Sequence, residues 1–350
     1  MKAGIIGASG YGGGELIRLL TQHPEAQIHS LISETYKGKH PSAAFPGLLS
    51  SRLEHVRFES LADSTSVSEC DVVFLAQENG KAMLSASDLL ASGSKVIDLS
   101  ADFRFKDTAI YPVWYGFEHA SPALSAEAVY GLPELYSTQI AGARLIGNPG
   151  CYPTASILAL APLVANGMVV PGSIVIDAKS GVSGAGRSKY AQAYHYPEAN
   201  ESISAYGVGG KHRHVPEIEQ ALTGLVGEDV FVSFTPHLVP MSRGILSTCY
   251  ASLMDPKSVK VEDLRNLYRE FYTGSPFVNV LSSGTPGSKH ALGGNFCHIG
   301  VEFDSRTGRA IIISAIDNLV KGMAGQAVQN MNVLFGLDQR TGLDFCSVWP

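Results

Sequence analysis

The residues best suited to chemistry are Cys151 and the pair His212 and His214. Cys151 stands in Gly147-Asn148-Pro149-Gly150-Cys151-Tyr152-Pro153-Thr154, a turn followed by residues of helical character from Ser156 to Leu163. Asn-Pro-Gly is turn chemistry, and Pro153 suits the first position of a helix. A cysteine at the mouth of a helix is favoured as the thiolate, because the aligned peptide dipoles stabilise negative charge there. Cys151 is therefore the candidate nucleophile. Pro162 predicts a kink or an early end to the helix. The competing reading is a buried structural thiol, the usual state of a free cysteine. Cys70, Cys249, Cys297 and Cys346 keep that reading.

His212 and His214 lie two apart in Gly210-Lys211-His212-Arg213-His214-Val215-Pro216-Glu217-Ile218. In an extended segment both would point to the same side. One is expected to move a proton and the other to bind substrate or orient its neighbour; their spacing leaves open which does which. No further Cys/His cluster completes a metal set, so no metal is expected. Glu217 to Leu222 reads as an ordinary amphipathic helix, with Ile218, Leu222 and Leu225 facing a core. Lys179 to Arg187 follows a strand and offers backbone amides, the hydroxyls of Ser180 and Ser183, and an arginine. That is the make-up of an anion nest, with a plain flexible turn as the alternative. Arg243, in Pro240-Met241-Ser242-Arg243-Gly244, is a second candidate for a carboxylate or phosphate, or else a surface ion pair.

A glycine loop near the N-terminus supplies a different function. Gly7-Ala8-Ser9-Gly10-Tyr11-Gly12-Gly13 sits between a strand pattern (Lys2 to Ile6) and a helical one (Gly13 to Leu20). Glycines let the backbone approach a pyrophosphate, whose charge the helix N-terminus favours. The spacing is G-x-x-G-x-x-G rather than the commoner G-x-G-x-x-G. The second strand pattern ends in Ser33-Glu34-Thr35-Tyr36-Lys37-Gly38-Lys39. An acidic residue there suits a ribose 2′-hydroxyl, whereas hydroxyls and lysines suit a 2′-phosphate. The segment points both ways.

The elements that must position these residues fall into two textures. Strand patterns at 2–6, 26–32, 71–76, 94–100 and 144–147 alternate with helical ones, including Lys81 to Ala91, and predict a parallel sheet covered on both faces. After Cys151 come longer β-rich runs, at 173–178, 230–234 and 244–250, broken by Gly- and Ser-rich turns. These predict an α+β domain with a mostly antiparallel sheet and a boundary near residue 150. A last helical pattern runs from about Asp317 to Leu334. With 350 residues, 45% of them hydrophobic and 17% charged, the chain has material for two cores. A net charge of −6 without basic clusters argues against nucleic acid and against a membrane surface. No apolar run approaches the about 18–20 residues that span a bilayer. The chain opens directly into a strand pattern, so a cytoplasmic protein is expected. Five scattered cysteines, an odd number with no C-x-x-C pair, leave at least one thiol free.

Taken in order, these motifs resemble one family closely, the N-acetyl-gamma-glutamyl-phosphate reductases of arginine biosynthesis. The matching stretches are Gly7 to Gly13, Asp98-Leu99-Ser100-Ala101-Asp102-Phe103-Arg104, Tyr130-Gly131-Leu132-Pro133-Glu134 and Gly147 to Thr154. They continue through Ser180 to Arg187, His212 to Ile218, Pro236 to Arg243 and Asp317-Asn318-Leu319-Val320-Lys321-Gly322. The resemblance implies a fold like glyceraldehyde-3-phosphate dehydrogenase: a Rossmann domain (1–150, joined by the C-terminal helix 317–350) and a catalytic, oligomerisation domain (151–316). It implies NADPH-dependent reduction of an acyl phosphate through a thioester on Cys151, assisted by His212 or His214. The coenzyme would meet Gly7, Ala8, Ser9, Gly10, Tyr11, Gly12, Gly13, Ser33, Ser100, Ser183, Gly184 and Asn318. The substrate and its phosphate would meet Arg104, Asn148, Ser180, Arg187 and Arg243. A homo-oligomer, dimer or tetramer, is expected.

The chain departs from the family's pattern at three places. Glu34 stands where members often carry Arg, which leaves NAD(H) open beside NADP(H). Glu78-Asn79-Gly80 replaces a Pro-His-Gly turn, and Gly293-Gly294-Asn295 a Gly-Ser-Asn. The rival readings are a reductase of aspartyl or carrier-linked aminoadipyl phosphate, and a coenzyme-binding regulator without catalysis. A cysteine hydrolase would give no reason for the glycine loop.

Overall fold

The computed structural model describes residues 1–187 and 191–349. Seven short strands of the first half form one sheet: β1 (Lys2–Ile6), β2 (Gln27–Ile32), β3 (Phe58–Glu59), β4 (Val72–Leu75), β5 (Lys95–Asp98), β6 (Val129–Tyr130) and β7 (Leu145–Gly147). Their order is β3-β2-β1-β4-β5-β7-β6, and every pairing is parallel. All four residues of β4 are buried, as are the last four of β1. Burial on both faces is what unbroken apolar runs demand of a parallel sheet. The order reverses direction between β1 and β4. Ligands of open α/β sheets bind at such a switch point, beyond the strand C-termini.

The second half builds β8 (Ile174–Gly181), β9 (Ser204–Ala205), β10 (Val232–Val239), β11 (Ile245–Ser252), β12 (Val278–Val280), β13 (Cys297–Asp304) and β14 (Arg309–Ile316). They form a mixed sheet in the order β12-β13-β14-β11-β8-β10-β9. Two pairings, β10 with β8 and β12 with β13, are parallel, and the other four are antiparallel. Burial alternates along β11, so Ile245, Ser247, Cys249 and Ala251 face a core while their neighbours are half-buried. The buried face packs on the helix Cys151–Ala165: Ser247 Oγ lies 3.1 Å from Ser156 Oγ, and Ser314 Oγ donates to the Ala155 carbonyl at 2.8 Å. That helix is apolar all round and buried from Tyr152 to Val164, as a helix at the centre of a domain must be.

Two expectations for this helix are corrected. Pro153 is its third residue rather than its first, since the helix begins at Cys151 itself. Of the kink or early end expected at Pro162, the early end does not occur, since the helix runs on to Ala165. A proline within a helix orphans the carbonyl four residues back. Here that carbonyl, of Leu158, accepts the Tyr272 hydroxyl at 2.5 Å, so the loss is made good.

The chain divides into two compact units. One comprises Met1–Pro149, Gly186 and Arg187, and Met323–Asp344; the remaining described residues make up the other. Residues 317–322 and 345–349 thus lie in the second unit rather than with the C-terminal helix. The cause is local bonding: Asp317 and Asn318 are bound to Gly293 and Gly244, and Val348 to Leu292. The expected single helix over 317–334 is a π-helical turn, Val320–Ala324, followed by an α-helix, Gly325–Leu334.

Candidate active site

In the first unit the glycine loop joins β1 to the helix Tyr11–Gln22. Gly7 has φ +85°, and a Cβ there would meet the Ala76 carbonyl oxygen at 2.3 Å, so only glycine fits. Gly10 caps the helix without any side-chain acceptor. The amides of Tyr11, Gly12 and Gly13 have no acceptor among the described residues. A helix start left bare in this way is a cradle for a phosphate group, and the residues present fit a dinucleotide. Ser33 Oγ donates to Ser9 Oγ at 2.8 Å, tying the loop to the end of β2. Glu34, exposed, accepts the Leu61 amide at 2.9 Å, and Lys37 is paired with Asp63.

Ser100, Arg104 and Asn148 lie in the same unit. Asp98 accepts the Ser100 amide at 2.8 Å, and Ser100 Oγ accepts the Asp102 amide at 3.2 Å. Arg104 is buried; its Nε donates to the Asn148 carbonyl at 2.8 Å and its Nη2 to the Leu99 carbonyl at 3.2 Å. Asn148 donates to the Met323 carbonyl at 3.1 Å and accepts from Asn330 at 3.0 Å. Both side chains hold the loop together from inside. Asp98, burdened first by burial and then by neighbouring Asp102, is pushed up to about 7.

Arg187 also belongs to this unit, a placement the sequence did not reveal. Its Nη1 donates to the Ser9 carbonyl at 3.1 Å and its Nη2 to the Tyr36 hydroxyl at 3.4 Å. Its guanidinium stacks 4.8 Å above the Phe45 ring.

In the second unit Cys151 is half-buried at the first position of its helix, where the dipole favours a thiolate. Two features fix its backbone. The Gly150 amide donates to the fully buried Glu217 carboxylate at 2.8 Å. Gly322 approaches so closely that a Cβ there would stand 2.8 Å from the Cys151 Cβ. The pattern of Glu217 to Leu222 predicts a plain amphipathic helix, yet the Glu217 carboxylate turns inward. Nothing in its spacing signalled this, because the partner is 67 residues away.

The next residue, Tyr152, gathers the histidines. Its ring centre lies 5.8 Å from His212, 5.9 Å from His214 and 5.3 Å from Phe234, and the two imidazoles are 4.8 Å apart. Their segment is not extended but a turn leading into the helix Val215–Val226, with His214 at φ −83°, ψ −10°. The turn forms because the His214 amide donates to His212 Nδ1 at 3.1 Å and the Val215 amide to the His212 carbonyl at 2.9 Å. The two rings still share one cluster. Burial, and after it the charge of Arg213, hold the His212 imidazole down to about 4. Tyr206 donates to the Tyr152 hydroxyl at 3.1 Å, and burial above all pushes Tyr206 up to about 12.

The anion nest expected at 179–187 is not formed as such. The amides of Gly181, Val182 and Ser183 donate to the carbonyls of Gly244, Met241 and Ser242, so they are spent on backbone partners. Ser180 Oγ donates to the Gly181 carbonyl at 3.0 Å. Asn318 accepts the Gly244 amide at 2.7 Å and donates to Ser183 Oγ at 3.0 Å, and Gly184 packs beside Ser180 Oγ. Arg243 lies 3.4 Å from buried Asp317, whose other oxygen accepts the Leu319 and Val320 amides. Among the described residues no group of three or more His, Cys, Asp or Glu is arranged to hold a metal ion.

With this geometry in place, the comparisons with known proteins agree in both halves. Residues 2–143 match the model of the semialdehyde dehydrogenase NAD binding domain, and residues 151–318 that of the semialdehyde dehydrogenase dimerisation domain. An N-acetyl-gamma-glutamyl-phosphate reductase of Symbiobacterium thermophilum is 52% identical over 344 residues, covering 98% of this chain and 97% of its own. One of Desulforamulus reducens is 50% identical over 354 residues, covering 100% of both chains. Among solved structures, aspartate semialdehyde dehydrogenase II of Vibrio cholerae superposes with a TM-score of 0.74 at 17% identity, covering 96% of this chain and 98% of its own. The aspartate semialdehyde dehydrogenase of Candida albicans, solved with NADP, gives 0.71 at 17% identity, covering 95% and 98%. At that identity the likeness carries the fold alone.

Proposed function

The chain belongs to the N-acetyl-gamma-glutamyl-phosphate reductases, and we propose that it reduces its acyl phosphate to the semialdehyde through a thioester on Cys151. The placement of Cys151 at a helix start, next to Tyr152 whose ring meets both histidines, carries this reading. The thiolate attacks the acyl carbon, the carbon–oxygen bond to phosphate breaks, and inorganic phosphate leaves. Helix-terminal amides favour the thiolate beforehand and the oxyanion during attack. A nicotinamide coenzyme, NADPH on this reading, held at the Gly7–Gly13 loop, would supply the hydride that takes the thioester to the aldehyde level. The carbon–sulfur bond then breaks, releasing N-acetylglutamate 5-semialdehyde and the thiolate.

The histidines divide the remaining work. His212 Nδ1 accepts the His214 amide, so the neutral His212 ring carries its proton on Nε2 and donates from there. With its pKa held near 4, it enters the reaction neutral and positions the substrate. His214 is then the group that takes the thiol proton and returns it when the thiolate is expelled. On this reading His214→Asn slows alkylation of Cys151 by iodoacetamide and shifts its pH profile. His212→Asn raises KM and leaves that profile in place. The reverse pattern would exchange the two roles.

The dimerisation-domain match supports a homo-oligomer, and no helix among the described residues is long and apolar enough to cross a membrane. A soluble, cytoplasmic enzyme of arginine biosynthesis fits both. A steady-state assay with N-acetylglutamate 5-semialdehyde, phosphate, and NADP or NAD tests substrate and coenzyme together. High activity with aspartate semialdehyde alone would overturn the substrate.

A further inference from the structure

The coenzyme preference is undecided at the end of β2, where Glu34 replaces the arginine expected there. In folds of this kind the adenosine 2′ position lies beside that strand end, and an arginine nearby receives a 2′-phosphate. Of the cations grouped there, Lys37 is neutralised by Asp63. Glu34 is drawn to the Leu61 amide. Arg187 differs from both. Its contacts are a carbonyl, a hydroxyl and two aromatic rings, with no carboxylate partner among the described residues. It reaches the strand end through Ser9, whose side chain is hydrogen-bonded to Ser33.

We propose that Arg187, arriving from a segment 178 residues beyond Ser9, is the 2′-phosphate ligand that gives this enzyme its preference for NADP(H). The proposal rests on the reading of the chain as an NADPH-dependent reductase and names the residue behind that choice. Stacking on Phe45 holds the guanidinium plane, and a planar fork matches a phosphate through two parallel N–H donors. Its hydrogen bond to Tyr36 is long at 3.4 Å, so that donor is readily given up to a phosphate oxygen. Ser33 and Ser9 hydroxyls complete a polar rim, beside which exposed Lys39 lies 5.9 Å over the Tyr36 ring.

The test uses binding rather than turnover. Isothermal titration of the whole protein with 2′,5′-ADP and with 5′-AMP reads the 2′-phosphate alone. Wild type is expected to bind 2′,5′-ADP the more tightly. Arg187→Ala is expected to weaken 2′,5′-ADP about 10- to 100-fold, as for one charge-assisted pair, and to leave 5′-AMP within about twofold. Arg187→Lys keeps the charge without the fork, should fall between, and decides the matter alone if the alanine variant does not fold. Equal losses for both ligands, or no loss for either, would overturn the assignment to Arg187. A wild type that binds both ligands equally would overturn the NADP reading and the proposal together.

Discussion

Replacing Gly322 by alanine probes how tightly the nucleophile is held. The new Cβ would stand 2.8 Å from the Cys151 Cβ, 3.2 Å from its Cα and 3.2 Å from Ile316 Cδ1. Carbon atoms in ordinary contact lie about 3.5–4.0 Å apart, so the methyl group is about 0.7 Å too close. Gly322 sits in a helical turn and needs no left-handed backbone, so the cost is steric alone. Overpacking of this kind costs about 1–3 kcal/mol. The cheaper relaxation moves Cys151, which starts its helix, rather than β14, which is paired along its length. A displacement approaching 1 Å at a reacting atom costs about 100-fold in rate, so kcat/KM should fall about 10- to 100-fold. Steady-state kinetics, with urea unfolding of the same variant, separate the loss of rate from the loss of stability. Turnover within twofold of wild type, at unchanged stability, would refute the account of Gly322 as the wall behind the thiol.

Glu217→Ala leaves the buried Gly150 amide without this acceptor and should cost about 1–3 kcal/mol in urea unfolding, while Glu217→Gln, which keeps an acceptor oxygen, should cost less. Equal losses would contradict that role. His212 is held near 4 in the fold but titrates near 6.5 when unfolded. Between those values the unfolded chain binds the proton that the folded one refuses, so this stabilisation is present above about pH 6.5 and lost as pH falls towards 4. The stability difference between wild type and His212→Asn should therefore shrink from pH 7 to pH 4.5, and a constant difference would contradict it. Burial pushes Cys70 and Cys249 up to about 12, so mass mapping after native alkylation at neutral pH should find Cys151 modified and these two intact.

Local pattern made much of this protein legible. Five of the seven strands of the parallel sheet are legible as short apolar runs, because burial on both faces leaves no alternation to confuse them, whereas two-residue β3 and β6 are too short to leave a pattern. The glycine loop and Cys151 were visible because a tight turn and a helix start demand particular residue types at fixed offsets. Contacts between distant segments left no such mark. Glu217 looked like one more charge on an amphipathic helix until the fold brought it to Gly150. Arg187 looked like part of a nest, yet the amides of that nest are consumed by the 241–244 turn and the arginine joins the glycine loop. The histidine pair was found for its spacing, but the turn, not an extended strand, is what sets one ring as the other's acceptor.

The central claim is that Cys151 carries the acyl group. It is tested by mixing the enzyme with N-acetylglutamate 5-semialdehyde and NADP in the absence of phosphate, quenching in acid and mapping peptides by mass. The account predicts one N-acetylglutamyl group on the peptide containing Cys151, absent without coenzyme and discharged when phosphate is added. Coenzyme reduced by one equivalent per site with that peptide unmodified, or an acyl group on another residue, would contradict it.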